Sequence, residues 1–265
     1  MDNHFKTLAL SILLSIVMHE NLLGQKKIDL KPSEVIDAFV RRIGGVKWQN
    51  LKSRKEYAYV EYESDKNVII PADSYDRIKI DLHTGASAEV HKVEETLRSI
   101  FVYQPQCNWY YSNKTQMVKF FGPEPIKFKN LFPRTELMEP LNLETAKEIA
   151  VEDTLYRVDC IDKRQYDGKQ SLFFGINSGL LYKRSYVGKN EVHWEFEFSD
   201  YRESQGFVEP HKIVLMSNGK TYFTINVQSI QYNVEIAADV FDPPVPCRNY
   251  DDYLRLEFTY LPDIK

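Results

Sequence analysis

The sequence contains no Cys-x-x-Cys pair, no Gly-x-Ser-x-Gly elbow, no glycine-rich phosphate loop and no two histidines one helical turn apart. The first absence removes the anchor for dithiol redox chemistry, zinc ribbons and haem attachment. The second and third leave α/β serine hydrolysis and nucleotide binding without a motif, and the fourth does the same for a helical zinc-hydrolase site. His83, His91, His193 and His211 read as solvated or packed side chains, since nothing in their spacing makes them converge. Charge of one sign is lacking too: 34 Lys and Arg face 38 Asp and Glu, a net charge of -4. No field therefore draws in nucleic acid or another polyanion. No cofactor and no metal is expected. Carboxylates converging from distant parts of the chain, as in a glycosidase, are a pattern that spacing alone does not test.

Long hydrophobic runs are also missing. The longest, Leu8 to Val17, is about half of the ~20 residues a membrane span needs. It follows Lys6 and precedes the small residue Gly24, so Met1 to about Gln25 reads as a cleavable signal peptide. No cysteine lies near that cleavage point to carry a lipid anchor. The mature chain is expected to be exported and soluble, without a transmembrane anchor. Cysteine is scarce, with Cys107, Cys160 and Cys247 in all; one disulfide plus a leftover thiol, or three buried thiols, both fit.

What the sequence does have is aromatics, with 17 Tyr and 15 Phe, a composition suited to half-buried strands. One helix stands out first. Val35, Ile36, Phe39, Val40 and Ile43 recur at helical spacing between Pro32 and Gly44-Gly45. From Trp48 onward the period falls to two. Ile78, Ile80 and Leu82 alternate with Arg77, Lys79 and Asp81, which predicts a strand with one wet face. Val192, Trp194, Phe196 and Phe198 likewise alternate with His193, Glu195 and Glu197, and the same pattern recurs in Phe223 to Val227 and in Tyr232 to Ile236. Runs at 57–62, 100–103, 117–121, 156–160 and 172–176 are further strand candidates. Turn residues at Asp167-Gly168, Asn177 to Gly179, Gly188 to Asn190 and Asn218-Gly219 separate strands as in an antiparallel meander. Between the halves, 122–140 is proline-rich and aperiodic, and 143–152 is expected to form a short helix capped by Asn142.

The order of motifs in the second half carries a resemblance. Tyr156-Arg157-Val158, Asn177-Ser178-Gly179-Leu180-Leu181, Phe198-Ser199-Asp200-Tyr201-Arg202, Gly206 to Ile213 and Phe241-Asp242-Pro243-Pro244 follow one another as in the LolA-like periplasmic carriers and the outer-membrane lipoprotein-sorting proteins. The helix ending in Ile43-Gly44-Gly45 and followed by Trp48 resembles that family's opening. The resemblance implies a mainly β (α+β) fold, in which a curved antiparallel sheet forms an unclosed β-barrel with covering helices. It also implies a periplasmic, non-enzymatic protein that holds a lipid or lipoprotein acyl chain in an apolar cavity, with envelope membrane proteins as further partners. On this reading 1–25 is the signal peptide, 26–245 the lipid-binding domain, and 246–265 an extension whose alternation (Leu254, Leu256, Phe258) predicts an added edge strand. Candidates for lining the cavity are Trp48, Tyr57, Tyr59, Trp109, Trp194, Phe196 and Phe198. A protein-binding or sensor module on the same scaffold is the alternative, with the aromatics as plain core.

Overall fold

The computed structural model describes residues 30–63, 74–104, 107–121, 146–161, 169–188 and 191–246, together with the backbone of 253–255. The leader, the proline-rich stretch and Asp167-Gly168 lie outside the described residues. Helix α1, Pro32–Arg42, begins with proline in its first turn. The Glu34 carboxylate accepts the Lys31 N–H at 2.6 Å, satisfying one of the donors that a helix start leaves open. Val35, Ile36 and Phe39 form its buried stripe, as their spacing predicts. Gly44 and Gly45, both at positive φ, end the helix and lead into a 3-10 turn, Gly45–Asn50, that carries Trp48.

The rest is one antiparallel sheet of fourteen strands. In chain order these are β1 (Ser53–Tyr62), β2 (Tyr75–Leu82), β3 (Ser87–Val93), β4 (Thr96–Tyr103), β5 (Asn108–Ser112), β6 (Met117–Phe121) and β7 (Ala146–Glu152). They continue with β8 (Leu155–Ile161), β9 (Lys169–Gly175), β10 (Leu181–Val187), β11 (His193–Ser204), β12 (Phe207–Ser217), β13 (Lys220–Tyr232) and β14 (Tyr253–Arg255). Their order across the sheet is β14-β6-β5-β4-β3-β2-β1-β13-β12-β11-β10-β9-β8-β7. Two meanders are thus joined where β1 pairs with β13, and the edge strands β14 and β7 do not meet. At the β12–β13 hairpin, Asn218 and Gly219 both take positive φ, the geometry that a two-residue turn between twisted strands requires. At one edge β14 pairs with β6 over Tyr253–Arg255, and residues 256–265 of the C-terminal extension lie outside the described residues.

Three expectations need correction. The segment 146–152 is strand β7 rather than part of a helix: a tight turn at Asp153, which takes positive φ, pairs Glu152 with Leu155 and Ile149 with Val158. Cross-strand pairing at the sheet edge overrides the local helix preference of Ala, Lys and Glu. The strand read at Tyr232 to Ile236 is instead the end of β13, which stops at Tyr232. Asn233 turns the chain there, at positive φ, and its side chain accepts the Lys52 N–H at 2.9 Å. The split in periodicity comes from a bulge: Tyr57 faces Ser229 while Ala58 faces Val227, so Gln228 is the extra residue. The third concerns the face of β2 carrying Arg77, Lys79 and Asp81, which is buried and not wet.

The sheet carries a core on each face. On the face toward α1, here the inner face, Val35, Ile36 and Phe39 pack with Ala58, Val60, Val158, Leu172, Phe174, Phe198 and Ile225. On the opposite, outer face, β2 to β6 present Ile78, Ile80, Val90, Ile100, Trp109 and Phe120 to Phe241, which sits in a 3-10 turn at Ala238–Phe241. Both Trp109 Nε1 and Gln104 Nε2 donate to the Phe241 carbonyl at 3.1 Å, pinning that turn to the sheet. Cys107 is disulfide-bonded and Cys160 is buried, its Sγ directed at the Val158 carbonyl, while Cys247 lies outside the described residues. Among the described residues no helix is long and apolar enough to cross a membrane.

Helix α1 is held at its C-terminal end. The Ile43 carbonyl accepts both the Val208 N–H and Trp48 Nε1 at 3.0 Å, and Trp48 packs edge-on against Phe207, 4.7 Å between centroids. The helix is about 16 Å long and touches both β12, at Ile43, and β7. Those strands lie five spacings apart, about 24 Å on a flat sheet, so the sheet curls around the helix. Trp48→Ala is expected to cost about 3–5 kcal/mol, the usual loss for a buried aromatic, plus the lost bond to Ile43. Urea unfolding of the variant measures it.

Candidate functional site on the inner face

Strand register decides which side chains share the inner face. Phe198 faces Ile213, Phe196 faces Leu215 and Arg184, and Trp194 faces Tyr186. Leu172 faces Val158 and Arg184, and Phe174 faces Tyr156. The inner face from β8 to β11 is therefore an apolar and aromatic wall. Phe198 and Phe174 are fully buried, Phe174 against Phe39 of α1 at 5.4 Å, whereas Trp194, Phe196 and Tyr186 remain half-buried. Phe196 stacks between Phe198 and Tyr186, at 6.3 and 6.5 Å. The Arg184 guanidinium lies over the Tyr186 and Phe196 rings and donates through Nε to Gln170. Between α1 and the β8–β9 end of the wall lies a cavity of about 470 Å³, open to solvent and lined by Leu30, Val35 and Ala38 on one side and Tyr156, Phe174 and Ile176 on the other.

The seven cavity candidates are not brought together. Trp194, Phe196 and Phe198 share the inner face, as alternation predicts. Trp48 is buried beside them, but it is spent on anchoring α1 to Phe207 and Tyr232. Tyr57, Tyr59 and Trp109 point to the outer face: Tyr57 packs on the second core with Lys55 Nζ 5.0 Å from its ring, Tyr59 is exposed, and Trp109 is pinned to Phe241. None of the seven lines the 470 Å³ cavity. Its wall residues Ala38, Tyr156 and Ile176 carry no distinctive spacing, and only the curl of the sheet around α1 assembles them.

Beyond β13 the same inner face changes character. Along β1, Val60 and Ala58 give way to Glu56 and Arg54. Arg54 donates to Glu209 through Nε at 3.0 Å and Nη2 at 2.9 Å, and through Nη2 to Glu56 at 2.6 Å. Glu56 also receives Arg77, and the Tyr232 hydroxyl donates to Glu209 at 2.7 Å. All five side chains are buried. Asp81 faces Arg54 across β1–β2, but its nearest oxygen is 3.8 Å from Nη1. Burial therefore dominates and pushes the Asp81 carboxyl up, against the pull of Lys79 and Arg54. Glu89 behaves oppositely. Burial opposes its ionisation, yet the bond from His91 and the charges of Arg77 and Lys79 hold its carboxyl down at about 2. An aromatic row, Tyr62, Tyr75, His91, Phe101 and Tyr110, closes this end of the face, with Tyr75 and His91 only 4.2 Å apart.

The apolar half can take up hydrocarbon. The charged half is committed to its own pairs, and among the described residues no group of three or more His, Cys, Asp or Glu is placed to hold a metal ion. These features define an unclosed antiparallel barrel whose inner face is apolar beneath a helix. No protein-family model matches the chain, and no curated protein matches it. Solved structures do. A domain assigned as an outer membrane lipoprotein-sorting protein from Vibrio parahaemolyticus aligns at a TM-score of 0.54 and 12% identity, over 79% of this chain and 95% of that one. A protein of the DUF1329 family from Desulfovibrio piger aligns at 0.57 and 14%, over 80% and 98%. A LolA superfamily protein from Nitrosomonas europaea aligns at 0.52 and 8%, over 81% and 98%. The fold is LolA-like.

Two measurements probe the charged half. Glu209→Ala leaves Arg54 buried without its bidentate partner and is expected to cost about 3–5 kcal/mol in urea unfolding. Asp81→Asn is expected to raise the melting temperature at pH 7. A carboxyl whose folded pKa is raised loses stability as pH rises above its unfolded value, so the gain over wild type should shrink as pH falls toward 4. A gain that stays constant with pH would show that ionisation of Asp81 is not its source.

Proposed function

We propose that this protein is an exported, periplasmic binding protein that carries an acyl chain of a lipid or lipoprotein on its inner face, without making or breaking a covalent bond. The observation that supports this reading is the combination of an apolar wall from β8 to β11 with a cavity left between it and α1. Each methylene moved from water into such a site is worth about 0.8 kcal/mol, so a long chain supplies the affinity by itself. Release requires the helix to give way. Helix α1 is bonded at Ile43 and borders the cavity along its length, from Glu34 to Arg41. The lipoprotein-sorting assignment of the Vibrio structure agrees with this reading. On it, Met1 to Gln25 directs export, 26–245 is the carrier domain, 246–265 adds the edge strand, and envelope membrane proteins load or unload the cargo.

The test is to purify the mature protein without detergent from the envelope of its host and to analyse an organic extract by mass spectrometry beside a mock purification. One lipid class is expected at about one equivalent. A folded, monodisperse protein with no enrichment would refute lipid carriage and favour a protein-binding module on the same scaffold.

A further inference from the structure

Two of the three cysteines lie on opposite faces of the sheet. Cys107, just before β5, is buried in the outer core with Trp109, Phe120 and Phe241, whereas Cys160 on β8 is buried in the inner core with Val158 and Leu172. Nine strands separate β5 from β8. A disulfide requires Cα atoms within about 7 Å, so the bond that Cys107 makes does not run to Cys160. The sequence then leaves Cys247. Chain connectivity alone brings that residue to the same place: Val245 packs against the outer core that holds Cys107, and two further residues reach at most about 7 Å.

We infer that Cys107 and Cys247 are an oxidative modification site, and that their disulfide clasps the segment after β13 to the outer face. From 233 to 246 that segment carries no strand and so lacks the ladder of hydrogen bonds that holds the rest of the sheet. The Ser53 hydroxyl donates to the Val234 carbonyl at 2.6 Å, and Trp109 and Gln104 donate to the Phe241 carbonyl. What it covers is extensive. Ile78, Ile80, Val90, Ile100 and Val118 are at most 7% exposed beneath Ile236, Val240 and Phe241. The cross-link closes a loop of about 140 residues, a length at which it strongly restricts the unfolded chain. In forming it the two thiols give up two protons and two electrons, and a disulfide-bearing oxidant accepts them and becomes a dithiol. An oxidising compartment supplies that reaction and the cytosol opposes it. The inference does not depend on what the inner face carries.

The experiment uses the mature chain, alkylated with N-ethylmaleimide as it is isolated, digested without reductant and mapped by mass spectrometry. A peptide linking Cys107 to Cys247 is expected, with Cys160 alkylated only after denaturation. A link from Cys107 to Cys160 or to a second copy, or alkylated Cys107, would overturn the assignment. Cys247→Ser is expected to lower the melting temperature by about 5–15 °C and to raise the fluorescence of a dye that binds apolar surface severalfold, as the outer core is uncovered. Adding reductant to the folded wild type should produce the same dye signal, which keeps the point testable if the variant does not fold. A linked peptide whose loss changes neither the melting temperature nor the dye signal would overturn the clasp.

Discussion

A guanidinium removed from water must be neutralised where it lies, and Arg54 meets that demand by tying four strands together. Its partners come from β1 (Glu56), β2 (Asp81) and β12 (Glu209), with Tyr232 of β13 completing the shell. The two meanders meet at β1 and β13, so the group that holds the junction is electrostatic and directional, not a patch of hydrocarbon. Such a network adds little net stability over a well-packed apolar substitute, but it tolerates only one register. A one-residue slip of β1 against β13 would turn Arg54 and Glu56 to the outer face and set them against hydrocarbon.

The same strand sets the division of the inner face. Arg54 and Glu56 belong to the charged half, whereas Ala58 and Val60, two and four residues further on, belong to the wall under α1. The bulge at Gln228 lets β13 follow this change, placing Ile225 and Val227 with the wall and Tyr232 with the charges. A ligand on this face thus meets hydrocarbon on one side and a closed set of ion pairs on the other. The helix is fixed over the boundary by Ile43.

Much of this could be read from spacing alone. Helix α1 was announced by its i, i+3, i+4 stripe and its terminal glycines, and the inner-face trio Trp194, Phe196 and Phe198 by strict alternation. Alternation failed on β2, because a period of two separates the faces of a strand without saying what covers each one. Arg77, Lys79 and Asp81 look like a solvated row until Arg54, Glu56 and Glu209 arrive from strands distant in sequence. Tyr57, Tyr59 and Trp109 were misdirected for a related reason: the sheet has a core on both faces, so an aromatic residue in a strand does not reveal which of the two it joins. The cavity walls Ala38, Tyr156 and Ile176 left no local signal, since they become neighbours only when the sheet curls.

The junction of two local meanders at β1 and β13 also bears on how the chain comes to be folded. Every other strand pairing between β1 and β6, or between β7 and β13, joins neighbours in sequence, and hairpins of that kind form within microseconds. The β1–β13 pairing must wait for a loop of more than 160 residues to close, as the partners Arg54 and Tyr232 show. Until then two half-sheets coexist, each with a long unpaired edge and an exposed apolar face. Assembly is therefore expected to be biphasic, with a window in which self-association competes with closure.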